Sequence, residues 1–172
     1  MPAPSTPEVW LRGPLPGVPL ELMPVVHSLL QVREELVALV PSLSAEQLWT
    51  RPGGAASVGF HIMHLAGSLD RLLTYARGES LNEQQRADLA AEEDEGRRES
   101  PAALLRRAEK AIDAAIEQVR ATPIATLGEP RPVGRAALPS TVRGLLFHAG
   151  EHAQRHAGQL VTTAKIVGAI RP

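Results

Sequence analysis

The chain has 172 residues, 44 % of them hydrophobic, which suits one domain with a substantial core and is too short to expect two. A net charge of −1 leaves no broad basic surface for nucleic acid or anionic lipid, and two Trp, two Phe and one Tyr are too few for base-stacking platforms. With no cysteine, disulfides, thiolate zinc sites and a cysteine nucleophile are excluded, so a transition metal would have to be held by imidazole and carboxylate.

The start, "MPAPSTPEVWLRGPLPGVP", lacks the basic head and apolar core of a secretory signal, and no window approaches the roughly 18 apolar residues of a membrane span. The expectation is a cytoplasmic protein with no membrane and no nucleic-acid partner. Six prolines, at 2, 4, 7, 14, 16 and 19, repeatedly remove amide donors, so residues 1–19 are expected to form an irregular Pro-rich arm ahead of a single domain at 20–172.

From Leu20 to Val40 the residues Leu22, Val25, Val26, Leu29, Leu30, Val32, Leu36, Leu39 and Val40 recur at helical spacing until Pro41 closes the run, with Pro24 tolerable near the first turn. "LSAEQLWTRPGG" then offers a capping box, Ser44 with Gln47, for one short turn before a break at Arg51-Pro52-Gly53-Gly54. A second long helix starts near Ser57 and ends before Gly78. Residues 79–99 are polar, with an acidic cluster at Glu92 to Glu95, and read as a solvated connector with some helix. Ser100-Pro101 opens a third long helix, to about Arg120, because serine caps free amides and proline fits the first helical position. Residues 121–139, with four prolines, read as a long loop, after which Ser140 caps a last helix to about Val167, before Gly168. Four long helices with apolar stripes and no strand-like alternation predict an all-α four-helix bundle, in which sites are built in the core from side chains on facing helices.

The last helix carries "FHAGEHAQRHAGQL", with His148, His152 and His156 at four-residue spacing. Such residues project from one face, close enough for two imidazoles to bind one ion. With His148 set at zero, His152 falls near ~40° and His156 near ~80°, toward an apolar arc of about 60–160° formed by Val142, Leu145, Leu146, Ala149, Ala153 and Leu160. His152 and His156 are therefore the candidate ligand pair, with His148 at the margin. A catalytic ion typically takes three protein ligands and keeps an open position. The second helix, "VGFHIMHLAGSLDRLL", offers His61 and His64, and periodicity alone favours His61, which is nearer the arc of Val58, Ile62, Leu65, Leu69 and Leu72. His148-Ala-Gly-Glu151-His152 also matches the His-x-x-Glu-His motif of inverted zinc peptidases, but no Asp or Glu follows Glu151 to act as the further ligand, and Glu151 points near ~300° on the wheel. Arg143, Arg155, Asp70 and Arg71 read as surface helix charges, and Tyr75 has no evident partner.

"SVGFHIMHLAGSLDRLLTYARG" in the second helix together with "FHAGEHAQRHAGQL" in the fourth resembles the DinB superfamily of metal-binding four-helix proteins, related to bacillithiol and mycothiol transferase-like enzymes. The resemblance covers nearly the whole chain. It implies an up-down-down-up bundle, often a homodimer, with a divalent ion, zinc or nickel, on His64, which opens a His-Leu step, and on His152 and His156, which precede Gly158-Gln159. His61 and His148 are then hydrogen-bonding supports of the ligands or alternate ligands. The implied activity is transfer of a low-molecular-weight thiol, a small-molecule substrate, to an electrophile, by a metal-dependent S-transferase or hydrolase-like enzyme. The alternative is a non-catalytic metal- or ligand-binding bundle linked to stress.

Overall fold

The computed structural model describes residues 6–92 and 98–169. Among the described residues six α-helices follow in order: α1 Met23–Leu39, α2 Ala45–Trp49, α3 Val58–Ala76, α4 Glu83–Ala90, α5 Pro101–Ala121 and α6 Val142–Ala169. The four long ones pack mainly in a cycle, α1 on α6, α6 on α3, α3 on α5 and α5 on α1. Their apolar stripes meet at the centre: Val26, Leu29, Val32 and Leu36 from α1, Ile62, Leu65 and Leu69 from α3, Leu104, Ala108 and Ile112 from α5, and Leu146, Ala153 and Leu160 from α6. Each fully buried Leu or Ile removes apolar surface worth about 1.5–3 kcal/mol from water, so the i, i+3, i+4 spacing largely dictates which faces meet. Among the described residues, extended pairing is confined to two isolated bridges, Pro130 with Thr141 and Val133 with Leu138, inside the long loop before α6.

Local signals set most helix ends. Ser44 Oγ accepts the Gln47 N–H at 3.1 Å while Gln47 Oε1 accepts the Ser44 N–H at 3.0 Å, which closes the capping box of α2. Ser57 and Ser100 cap α3 and α5 through the N–H groups of Phe60 and Ala103. At the other end of α3, Gly78 at φ +79° turns the chain left-handed, so that its N–H reaches Tyr75 C=O and the Glu79 N–H reaches Thr74 C=O. Arg131 then fastens the long loop to this end, its Nε donating to Ala76 C=O at 2.9 Å.

Two helix limits differ from expectation. The cap of α6 is Thr141, whose Oγ1 accepts the Gly144 N–H at 3.1 Å, rather than Ser140, whose C=O instead accepts the Arg131 N–H. Gly168 does not stop α6, which continues to Ala169, because a right-handed glycine costs helix stability without terminating it. The described part of the arm, 6–19, lies against α1. Val9 and Val18 are buried, the Val9 N–H donates to Gln31 Oε1 at 3.1 Å, and Arg12 forks onto Glu34.

The segment after α3 departs furthest from the solvated connector expected for 79–99. Asn82 and Gln85 form a second capping box, which starts α4. Gln85 is buried, and its Nε2 donates to both Asp70 Oδ2 and Thr74 Oγ1 at 2.7 Å. A satisfied buried amide of this kind anchors α4 to α3. Of the acidic cluster, Glu92 has its side chain largely covered at the site described next, and 93–95 lie outside the described residues.

Candidate metal centre

The helices that pack most extensively, α3 and α6, carry five of the chain's six histidines. On α6 the four-residue spacing brings His152 and His156 together edge-on, with ring centroids 4.5 Å apart. From α3, His64 meets them at 5.2 and 4.6 Å. One ligand nitrogen from each of His64, His152 and His156 lies within 4.8 Å of the other two, so the three could hold one ion. His64 Nε2 and His152 Nε2 are 3.0 Å apart.

His61 is deeper, 6 % exposed, and its Nδ1 lies 3.0 Å from His156 Nδ1, one of the pair donating to the other. This contact occupies the Nδ1 side of His156 and leaves Nε2 as its other ring nitrogen. His148 is peripheral. Its ring also lies 5.2 Å from that of His152, but its side chain is 46 % exposed, its Nδ1 pairs with Glu151 Oε2 at 3.1 Å, and it is not among the histidines whose nitrogens converge. Glu151 is held between His148 and Arg155 along the helix surface, not turned toward the histidine cluster as a peptidase base would be.

Sequence reasoning missed a carboxylate. Glu92 Oε2 sits 2.7 Å from His64 Nδ1, and Glu92 Oε1 accepts from Arg71 Nη1 at 2.6 Å. The Arg71 and Glu92 side chains are 10 % and 9 % exposed, which corrects the reading of Arg71 as a surface charge and of Glu92 as part of a solvated run. An ideal Cβ on Gly67 would lie 2.6 Å from Glu92 Oε1 and 2.8 Å from Arg71 Nη1, so glycine leaves room for the pair against α3. The available sequence signal was the Asn82-x-x-Gln85 box, which turns the chain back along α3. Phe60 packs beside His64, rings 5.6 Å apart and 10° from parallel.

Burial, reinforced by the neighbouring His64, pushes His152 and His156 down to about 4, and burial likewise lowers His61. His152 and His156 are thus neutral at pH 7, each with one ring nitrogen unprotonated. For Glu92 burial acts upward, but the hydrogen bonds from His64 and Arg71 outweigh it and leave the carboxyl below its ordinary range.

These residues fit a divalent cation. Two nitrogens on one tetrahedral zinc, with bonds of about 2.05 Å, lie roughly 3.3 Å apart, close to the 3.0 Å between His64 and His152. His152 Nδ1 is buried and has no hydrogen-bond partner among the described residues, so no hydrogen bond at Nδ1 holds this ring to one tautomer. Imidazole donors without thiolate suit zinc, nickel, copper or iron. Among the described residues no helix is long and apolar enough to cross a membrane. The family model described as the DinB superfamily matches residues 28–160, a span that includes all three histidines. No curated protein matches the chain.

Proposed function

The chain belongs to the DinB superfamily, and from that premise we propose that it is a divalent-metal-dependent enzyme transferring a low-molecular-weight thiol to an electrophile. The observation that carries this reading is the convergence of His64, His152 and His156 from two helices. Three imidazoles leave an open coordination position, which is what a catalytic ion needs. Zinc or nickel is the ion, the substrate is a small molecule, and the working unit is a cytoplasmic homodimer of up-down-down-up bundles.

When bound, the ion supplies a Lewis acid that favours the thiolate, the nucleophilic form of a thiol. The protein's own residues do the rest. His64, His152 and His156 hold the ion, and His61 orients His156 through the contact between their Nδ1 atoms. Phe60 packs near-parallel beside the His64 ring.

Elemental analysis of untagged protein tests the ion, and titration of cobalt-loaded protein with thiols tests the substrate class. A thiol that enters coordination shifts the visible spectrum, and spectra unmoved by every thiol would count against transfer. A second reading, a non-catalytic metal- or ligand-binding bundle linked to stress, is favoured by one observation: the histidines bridge α3 and α6, so an ion there would also cross-link the core. Melting with and without chelator separates the two, a structural ion raising stability far more than an exchangeable one.

A further inference from the structure

We propose that Glu92 is a positioning residue for His64. This rests on the metal reading above. An ionised carboxylate can only accept, so the 2.7 Å contact requires the proton of His64 on Nδ1 and leaves Nε2, the atom facing His152, as the ring's lone-pair nitrogen. The χ2 torsion of an imidazole is broad and nearly two-fold, so without a partner at Nδ1 the ring can turn and exchange its two nitrogens. Glu92 removes that freedom.

Three independent features place the carboxylate there. The Asn82–Gln85 box starts α4, and Gln85 ties α4 to Asp70 and Thr74 of α3. Arg71 holds the second carboxylate oxygen at 2.6 Å, so Glu92 bridges a cation and the candidate ligand rather than pairing with either alone. Gly67 provides the space, since any Cβ would displace both side-chain ends. A surface ion pair would need none of these. The connector between α3 and α5 is therefore part of the metal site, reaching it from outside the α3–α6 interface.

The test is zinc affinity, measured on the full chain by competition with a chromogenic chelator, together with nitrogen-15 NMR of the His64 ring in metal-free protein. Glu92→Ala should weaken zinc binding about 10–100-fold, the range for removing the partner of a ligating histidine, and His64 should lose its Nδ1–H preference. Glu92→Gln keeps an acceptor and should restore most of the tautomer preference and part of the affinity. Gly67→Ala meets only the mobile ends of two side chains, so it should fold normally while weakening zinc as Glu92→Ala does; it carries the test if Glu92→Ala fails to fold. Wild-type affinity in both Glu92→Ala and Gly67→Ala, with the His64 tautomer unchanged, would overturn the proposal and leave the metal reading standing. A wild-type protein that takes up no zinc, nickel or cobalt would overturn the metal reading itself, and the proposal with it.

Discussion

His64 and His152 face each other across the α3–α6 interface with their Nε2 atoms 3.0 Å apart, although 88 residues separate them in the chain. Two neutral rings can share one proton at that distance, and a cation can take its place. The first prediction follows. His152→Ala or His64→Ala should reduce bound metal from about one ion per chain toward none after dialysis, because two imidazoles hold a divalent ion poorly. Elemental analysis of each variant measures it.

His148→Ala should leave metal content unchanged. The side chain is largely outside the cluster and engaged by Glu151, so its loss removes one exposed contact worth about 0–1 kcal/mol at most. A fall in bound metal equal to that of His152→Ala would show that His148 is a ligand.

In metal-free protein, stability should fall as the pH is lowered from 6.5 to about 4. His152 and His156 have folded-state values near 4 against 6.5 when exposed, so between these limits the unfolded chain binds more protons and is favoured by acid. Glu92 acts in the same sense: its lowered value contributes stability above the ordinary carboxylate range, and that contribution is lost as the pH falls through the folded value. Urea midpoints in chelator across this range measure the slope. A flat profile would contradict the burial of the two histidines.

Gly59→Ala should destabilise the fold by about 1–3 kcal/mol, the usual cost of overpacking. The added Cβ would stand 2.8 Å from the Trp49 ring, a rigid group whose Nε1 is also tied to Glu99 C=O at 3.0 Å. Denaturation followed by tryptophan fluorescence reads both the stability change and the displaced ring.

What the sequence made legible was whatever is encoded locally. Ser44 and Ser100 cap the helices they were expected to cap, and α3 starts beside Ser57 as expected, because these signals lie within three residues. The helical wheel ranked depth: His61, nearer the apolar arc, is indeed the more deeply buried histidine of α3. Depth is not convergence, however, and it is His64, less buried, that stands within reach of both His152 and His156. Glu92 and Arg71 were illegible for a different reason. Their burial depends on a contact between α3 and a segment 21 residues later, and no local pattern separates a carboxylate that folds back from one that stays in water. The α6 cap moved from Ser140 to Thr141 because the Ser140 C=O is taken by Arg131, a pairing set by the loop rather than by the helix.

Arg131 also bears on the site from a distance. By holding Ala76 C=O it clamps the far end of α3 to the segment that leads into α6, about 18 Å along the helix from His64. A helix pinned at a single point can swivel about its axis, and one residue's worth of swivel, about 100°, would carry His64 away from α6 altogether. Packed along its length against α5 and α6, and with its C-terminal end clasped and Gln85 on its flank, α3 is not pinned at a single point. The azimuth of His64 is therefore fixed before any ion arrives, and binding need not supply the work of turning the helix.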